Sequence, residues 1–475
     1  MRLDRSIRLA DGWPTRRRRA PNPLIGSKFA EGKFDPEQTK NSANRRIFGA
    51  TKDLLSQMTR IRDLLKDKDF SLLWASQIIS NFGDRLNQMA LIGLVYSRTP
   101  GSTIELAKLL SFTIIPVFLI GPIAGIYVDR WNRKHIMIFS DLIRGVLVFL
   151  MPIVIIYSKS MVPIYILVFI IFSFTRFFVS AKLAIIPDIV HKDRLLLANS
   201  LTSTTMMIAT IVGYGFGGLL VAWLGAKGGF YVDSATFFIS ALMLSSVALR
   251  FRKPMTGVRE KFRKLIKKTV LGDIKEGLLY LKGHKDIRMV ANTLSLIMAG
   301  VGSVYIIIIV FVQETLRSST EHLGFLAMFL GTGLFFGSIA YGRFGSRFCK
   351  KRVINTGLIF TGVAVMSFAV LLKLYPGFFI AGFIAMFIGL CASPIAVSCN
   401  TLLHEVMSED MRGRIFSSVE IIMHLGFLLF MVLTSLIAEH VQKFWILIAT
   451  GMIFSLIGFL KLMKGDKKDR TISSS

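Results

Sequence analysis

Twelve long apolar stretches, separated by short polar turns, constrain this sequence more than any other feature. A helix needs ~20 mostly apolar residues to cross a bilayer. With 53% hydrophobic and 18% charged residues, the chain has too little polar surface for a soluble globule. We therefore predict an all-α polytopic membrane protein with twelve transmembrane helices. The predicted spans are 70–97, 104–128, 135–158, 161–187, 195–223, 228–250, 288–314, 321–342, 352–373, 377–402, 414–438 and 441–463.

The formal net charge of +29 is unevenly distributed along the chain. The segments on the same side as both termini hold 47 Lys and Arg residues, whereas those on the other side hold seven. Because cytoplasmic segments carry an excess of Lys and Arg, we predict a multi-pass protein of the cell membrane with both termini cytoplasmic. The basic excess is then a topology signal and gives no reason to expect a nucleic-acid partner. Anionic lipid at the cytoplasmic surface is the expected partner of the basic segments.

Polar segments divide the chain into six regions. The first is an Arg-rich leader without apolar periodicity, predicted to be disordered, although Met58 is an alternative start. A stretch with one apolar face follows and is predicted to be an amphipathic helix at the membrane interface. A basic cytoplasmic linker separates the two sets of six spans. The predicted bounds are 1–50 (leader), 51–69 (amphipathic helix), 70–250 (first bundle), 251–287 (linker), 288–464 (second bundle) and 465–475 (cytoplasmic tail).

The two halves carry a weak repeat at an offset of 217 residues. Parallel repeats related by an axis along the membrane normal are a transporter architecture. The repeat therefore predicts two pseudo-symmetric six-helix bundles. The matched positions include Gly83 with Gly300, Gly125 with Gly342, Arg133 with Lys350, and Asp188 with Glu405.

Ionisable residues inside the spans are candidates for function, because a charge within lipid costs ~3 kcal/mol or more. Asp84 is interpreted either as a proton carrier or as a structural partner of the adjacent Arg85 or of a group on another helix. Asp141 and Arg144 are three residues apart and share a helix face. They pair with each other, or Arg144 controls the proton affinity of another carboxylate. Arg176 is a similar in-membrane cation.

Glu420 and His424 form an acid–imidazole pair, four residues apart within one predicted span. Histidine titrates near physiological pH, so both residues are candidates for proton coupling, and a structural hydrogen bond is the alternative. Asp233, by contrast, is expected near the start of the sixth span, where a helix favours negative charge.

The segment from Gly121 to Lys134 resembles the loop 2–3 signature of the major facilitator superfamily, with Asn132 where that signature usually has glycine. Four further segments resemble the drug:proton antiporter branch, which includes macrolide-efflux proteins. The resemblance covers residues 69–465 and implies transport by alternating access. The four segments are 70–77 with Gly83-Asp84, 186–190 with Ala198-Asn199, 231–237, and 410–416.

The resemblance also implies a conformational latch. In the family, the acid of loop 2–3 docks against the start of helix 11 and helps to hold the outward-facing state. Asp129 is the matching acid, and Ser346 replaces it in the second half, so this latch is expected in one half only. Carried over to this sequence, Asp129 would cap helix 11 near Arg412, and Arg133 would approach Asp188 at the end of helix 4. The implied latch residues are Gly125, Asp129, Arg130, Arg133, Asp188 and Arg412.

A glycine-rich run in the fifth span resembles the Gly-Pro-x-x-Gly-Gly signature of antiporters, with Tyr214 at the proline position. The resemblance implies antiport. Small residues also allow close helix packing in membranes whatever the mechanism. The predicted helix-packing glycines are Gly213, Gly217 and Gly218.

Together these features favour a secondary transporter, not an enzyme, that exports hydrophobic or amphipathic compounds, macrolide-like or drug-like, in exchange for protons. A lysophospholipid or siderophore carrier is the alternative, since the fold does not fix the substrate. A membrane acyltransferase or a sensor is disfavoured, because no nucleophile–base constellation is evident and the tails are too short for a ligand-binding domain. No cofactor or metal is predicted, since the sequence lacks a phosphate-cradling loop and metal-ligand spacing. A monomer is expected, with a small molecule and protons as partners.

Replacing Asp129 by Asn is expected to lower transport without abolishing folding, because the neutral side chain no longer holds the outward-facing latch. Transport assays at matched expression levels test this, with Ser346→Ala as the control at the equivalent position. A variant that transports as fast as the wild-type protein would contradict the latch.

Overall fold

The computed structural model describes residues 61–128, 130–248, 285–317, 320–406 and 412–473, which form α-helices joined by short turns. The predicted leader, Asp129 and most of the predicted linker lie outside these residues. The helices are α1 (Lys68–Arg98), α2 (Thr103–Leu119), α3 (Gly121–Val128), α4 (Arg133–Tyr157), α5 (Val162–Ile189), α6 (Leu195–Ser245), α7 (Lys285–Leu316), α8 (Glu321–Phe344), α9 (Lys350–Leu374), α10 (Phe378–Val406), α11 (Arg412–Ile437) and α12 (Lys443–Ser473).

These helices are consistent with the twelve predicted spans. Among the described residues, nine helical stretches are long and apolar enough to cross a membrane. One of them, Lys192–Ser245, has 54 residues, far more than the ~20 that one crossing needs. The backbone of Gly225 inside it is non-helical, with φ 72° and ψ 170°, and divides α6 into two segments. The two predicted spans that remain correspond to α1 and to α2 with α3.

Two helix boundaries differ from the predicted ones. The predicted span 104–128 is interrupted between Leu119 and Gly121, where α2 ends and α3 begins. Pro122 lies in the first turn of α3, a position at which its missing N–H group is tolerated. At the other end of the chain, α12 continues to Ser473, so that most of the predicted polar tail is helical.

The end of the predicted amphipathic helix packs on the first bundle. Residues 61–65 are helical, and Leu64 is only 2% exposed in a core that it shares with Phe70 and Leu73. Asp67 separates this turn from α1 and caps α1 by accepting hydrogen bonds from the main-chain N–H groups of Asp69 and Phe70. The apolar face therefore packs on protein at this end.

The helices form two groups, α1–α6 and α7–α12. Within the groups, α1 packs along α6, α7 along α11, and α8 along α10. The groups meet where α6 contacts α8 and where α2 contacts α11. The predicted all-helical architecture of two bundles is confirmed. We call the end of the molecule that holds Lys68, Arg133 and Lys350 the basic end, and the end that holds Arg98 and Gly225 the opposite end.

Among the described residues, the apolar cores of the two halves merge only toward the opposite end. One cluster there joins residues of both halves, such as Leu94 of α1 and Ile307 of α7. Toward the basic end each half has its own cluster, around Met137 in the first half and around Leu358 in the second. Apolar packing therefore closes the opposite end in this conformation.

Polar and backbone contacts reinforce this closure. The Thr320 hydroxyl, before α8, donates to the main-chain carbonyl of Gly218 in α6 over 3.1 Å. The Thr103 hydroxyl of α2 donates to the carbonyl of Ser435 in α11 over 2.9 Å. A Cβ atom on Gly218 would lie 2.8 Å from the Cα atom of Gly324, so only glycine allows α6 and α8 to approach so closely.

Replacing Gly324 by Ala is expected to force α6 and α8 apart, because the added Cβ would lie 2.4 Å from the carbonyl oxygen of Tyr214. Overpacking of this kind costs about 1–3 kcal/mol, which thermal unfolding of the purified protein in detergent measures as a lower melting temperature. Gly342→Ala, on the same helix, has no atom within 4 Å of its Cβ position and serves as the control. Equal melting temperatures for the two variants would contradict the tight contact.

Candidate functional site

A buried arginine lies at the centre of the first half. Arg144 of α4 is 1% exposed and forms an ion pair with Asp141, one turn earlier on the same helix. Asp141 is 0% exposed and also accepts a hydrogen bond of 2.7 Å from the Ser240 hydroxyl of α6. A buried ion pair is stabilising only when its remaining polar atoms find partners, and Ser240 supplies one of them.

Aromatic rings enclose the same guanidinium. Its central carbon lies 4.5 Å from the ring centroid of Phe178 in α5 and 4.2 Å from that of Phe237 in α6. Cations are attracted to aromatic faces at this range, and more strongly when water is excluded. Arg144 is therefore fixed in position by groups from three helices.

Asp84 of α1 provides a second carboxylate close to the Arg144 guanidinium. Its Oδ1 atom lies 3.8 Å from Nη1 of Arg144, and its side chain is 32% exposed. Asp84, Asp141 and Arg144 form what we call the central charge cluster. One cation thus faces two carboxylates, of which Asp141 is sealed from solvent and Asp84 is accessible. The sequence analysis left open a partner for Asp84 on another helix and a second carboxylate for Arg144, and the two residues lie near each other here.

Asp233 lies deeper in the bundle than the sequence predicted. It was expected near the start of a helix, yet it is 0% exposed and lies two turns beyond Gly225 in α6. It accepts hydrogen bonds from Asn87 over 2.6 Å and from Thr236 over 3.3 Å. A Cβ atom on Gly83 would lie 2.4 Å from Oδ1 of Asp233, so a glycine makes room for this carboxylate against α1.

A signal for this buried carboxylate was present in the sequence. Asp233, Thr236 and Ser240 recur at the three- and four-residue spacing of one helix face. Asp84 and Asn87 share a face of α1 in the same way. Two polar faces within apolar helices predict a shared polar interior, although they do not say which side chains meet.

Arg85 contacts a different set of residues from Asp84. Its Nη1 donates to Gln88 over 3.1 Å and to the Tyr214 hydroxyl of α6 over 3.0 Å. Tyr214, at the proline position of the antiporter signature, donates in turn to Gln88 over 2.6 Å. The hydrogen bonds of Arg85 go to Gln88 and Tyr214, and Asp84 contributes an electrostatic attraction to it.

The predicted helix-packing glycines line this contact. Cβ atoms on Gly213 and Gly217 would lie 3.0 Å from Cγ of Arg85 and 3.2 Å from Cα of Leu86, so both glycines face α1. Gly218 faces the second half instead, next to Gly324. The glycine run therefore brings α6 close to α1 on one side and close to α8 on the other.

Glu420 and His424, the candidate residues of the second half, do not form a side-chain pair like Asp141 and Arg144. Nδ1 of His424 lies 2.9 Å from the main-chain carbonyl oxygen of Glu420, so this contact uses the backbone rather than the acid. The His424 ring lies edge-on to Phe118 of α2, with 6.1 Å between centroids. Arg176 of α5 is electrostatically attracted by Glu420 of α11 and by Asp84. Charges from both halves therefore interact across the middle of the molecule.

At the basic end, ion pairs recur in both halves. Arg133 of α4 donates to Asp188 of α5 over 2.5 Å and to the carbonyl of Ala184 over 2.8 Å. At the offset of 217, Lys350 of α9 forms an ion pair with Glu405 of α10. This part of the latch region is therefore duplicated, whereas the acid at 129 was expected in one half only.

The rest of the predicted latch is only partly described. Asp129 and the side chain of Arg412 lie outside the described residues. Gly125 lies within α3 with open space around its Cβ position, and Arg130 follows in the turn before α4. Asn132 caps α4 by accepting hydrogen bonds from the N–H groups of Lys134 and His135, a role that glycine at this position of the signature lacks.

The described part of the chain contains no group of three His, Cys, Asp or Glu residues close enough to hold a metal ion. Its distinctive chemistry is that of carboxylates, guanidinium groups and hydroxyls enclosed among apolar helices. Of these, the carboxylates can bind and release protons, and the charged groups can attract charged parts of a substrate.

Replacing Arg144 by Met is expected to destabilise the protein by about 3–5 kcal/mol, because it leaves a buried carboxylate without its cation. The double variant Asp141→Asn/Arg144→Met should recover part of this loss. Thermal unfolding in detergent tests both, with Arg343→Met at an exposed helix end as the control. Equal stability of the single variant and the wild-type protein would contradict the structural importance of the pair.

Comparison with known proteins agrees with this architecture. The family model described as transmembrane secretion effector matches residues 63–472. The uncharacterized MFS-type transporter YfiS of Bacillus subtilis is 25% identical over 83% of this chain and 93% of its own length. Macrolide efflux protein A of Streptococcus pyogenes is 23% identical over 82% of this chain and 94% of its own length.

The fold also matches solved transporters. A bacterial homologue of the iron transporter ferroportin, in an inward-facing state, superposes with a TM-score of 0.62 at 12% identity, covering 84% of this chain and 99% of that one. At this identity the match concerns the fold alone. From the family match over nearly its whole length, we conclude that this chain belongs to the transmembrane secretion effector family of the major facilitator superfamily and is a multi-pass membrane transporter, not an enzyme.

Proposed function

We propose that this transporter exports hydrophobic or amphipathic compounds in exchange for protons, by alternating access between its two halves. The observation that carries the proposal is the central charge cluster, where an accessible carboxylate and a sealed carboxylate share one buried arginine. The printed name of macrolide efflux protein A, a relative at 23% identity, supports the export of a drug-like compound.

The proposed orientation has both termini in the cytoplasm, as the distribution of Lys and Arg favours. The opposite end then faces the outside of the cell membrane, and the two basic-end clusters face the cytoplasm. Because the halves share one apolar core at the opposite end, this conformation is the one closed to the outside. We propose that the monomer alternates between it and a conformation in which α6 and α8 separate near Gly218 and Gly324.

The proposed proton coupling is based on the electrostatics of the central charge cluster. When Asp84 is ionised, it attracts Arg144 across 3.8 Å in competition with Asp141. A proton on Asp84 removes this attraction, so that Asp141 is then the one charged partner of Arg144 within the central charge cluster. Since charge interactions are strong where water is scarce, binding of the proton changes the energy with which α1 is held against α4. That change is the proposed link between proton binding and conformation.

Three other groups are proposed to take part. Asp233 has hydrogen-bond donors but no cation within ion-pair distance among the described residues, so it is a second candidate for a proton. Glu420 attracts Arg176 from the other half, which makes their interaction sensitive to the alternation of the halves. His424 adjoins Glu420 and presents an imidazole ring to the same region.

Aromatic side chains beside these charges suit a large amphipathic substrate. Phe118 and His424 meet across the halves, and Tyr305 and Phe427 lie 5.7 Å apart between ring centroids. Tyr214 adds a further ring next to Arg85. Flat apolar faces beside fixed charges would hold the apolar body and the polar groups of one molecule together.

Transport by the purified protein in liposomes with an imposed pH gradient tests the proposal. Fluorescent dyes, a macrolide and a lysophospholipid serve as three substrate classes. Movement of the macrolide or a dye against its gradient, abolished by a protonophore, supports proton-coupled export. Movement of the lysophospholipid alone favours the lipid carrier, and movement that ignores the gradient contradicts proton coupling.

Replacing Asp84 by Asn is expected to preserve membrane insertion and to abolish gradient-driven accumulation. One pH unit supplies about 1.4 kcal/mol per proton, so the wild-type protein should accumulate substrate about tenfold and the variant should not. Glu439→Gln, an exposed carboxylate at the opposite end, is the control. Full substrate accumulation by the Asp84→Asn variant would contradict a role in proton coupling and would indicate that this carboxylate is structural.

A further inference from the structure

A cleft of about 530 Å³ lies between α7 and α12, near the basic end and apart from the central charge cluster. Two basic side chains, two polar side chains and two apolar side chains surround it. The lining residues are Arg288, Met289, Asn292, Thr293, Leu296 and Lys461.

The cleft lies on the outward side of α7. Val290, Ala291 and Leu294 of this helix are buried in the core of the second half. Met289 and Asn292 lie on the other face and are exposed. A ligand in the cleft would therefore approach from the surroundings of the second bundle.

Lys461 is the unusual member of the lining. It lies within a helical stretch, Lys443–Met463, that is apolar enough to cross a membrane. A charge in such a stretch is costly unless it reaches water or a polar partner. Its ammonium group lies 3.4 Å from the Thr293 hydroxyl across the cleft, so the side chain points to the polar lining rather than to apolar neighbours.

An apolar surface flanks the cleft along α12. The exposed residues next to Lys461 on this helix are large and apolar, and their outward position is that of side chains facing lipid. These residues are Leu456, Phe459, Leu460 and Met463. The cleft thus combines basic and hydroxyl groups with an adjoining surface suited to acyl chains.

We infer that this cleft binds the headgroup of an anionic phospholipid in the leaflet at the basic end. The phosphodiester would lie between Lys461 and Arg288, with Thr293 and Asn292 as hydrogen-bond partners of the phosphate or the headgroup hydroxyls. The acyl chains would follow the apolar face of α12. Basic clefts between transmembrane helices on this side of a protein recognise anionic headgroups through this combination of charge and apolar contact.

The test compares lipid binding by full-length variants. The purified protein, depleted of lipid in detergent, is titrated with phosphatidylglycerol and with phosphatidylcholine, and bound lipid is counted by native mass spectrometry. Lys461→Gln should weaken the preference for phosphatidylglycerol about fivefold, the contribution of one basic residue at an anionic surface. Lys461→Arg, which keeps the charge, should retain the preference and exclude misfolding as the cause.

The control is Lys159→Gln, which removes one exposed charge at the opposite end. All variants share the basic residues of the leader and the linker, so their contribution cancels in the comparison. Unchanged lipid preference in Lys461→Gln, or an equal loss in Lys159→Gln, would overturn the inference. Competition by inorganic phosphate that removes the preference completely would also overturn it, because the site would then bind phosphate and not lipid.

Discussion

The neutralisation of one buried cation organises the first half of this transporter. Arg144 is buried within the bundle, where a charge without a partner would strongly destabilise the fold. Its compensation comes from four helices: Asp84 on α1, Asp141 on α4 itself, Phe178 on α5 and Phe237 on α6. Helices in lipid gain little from apolar association alone, since the lipid is equally apolar. The contacts of these four helices with one buried charge therefore stabilise this particular packing arrangement.

This organisation is confined to one half, although the fold repeats. At the offset of 217 residues, Asp84, Asp141 and Arg144 correspond to Val301, Leu358 and Thr361. The second half thus has an apolar or hydroxyl side chain wherever the first has a charge of the central charge cluster, and Leu358 belongs to its apolar core. The repeat preserves the helical frame and the ion pairs at the basic end, whereas the proposed proton-binding groups lie mainly in the first half.

The sequence predicted what depends on local spacing. Apolar length identified the spans, and a separation of three residues identified the Asp141–Arg144 pair. Spacing alone could not predict contacts between distant segments. The family resemblance implied one of them, Arg133 with Asp188, and the structure contains it. Tyr214 meets Arg85 across 129 residues, and Asp233 meets Asn87 across 146. Their meeting depends on how α6 rotates against α1, which the glycines at 213 and 217 permit but do not specify. The helix that holds Asp233 begins after Gly225, earlier than the predicted start at residue 228. Asp233 therefore lies further into the helix than the sequence predicted.

The two ion pairs at the basic end bear on how ionic strength acts on this protein. Arg133–Asp188 joins α4 to α5, and Lys350–Glu405 joins α9 to α10, so each pair lies within one half. Their side chains are partly exposed, and dissolved salt therefore screens them. Screening loosens each half separately, but it does not favour one conformation over the other if the halves move as rigid bodies. In the proposed alternation, a salt dependence would then arise from attractions that cross between the halves, such as that of Arg176 for Glu420.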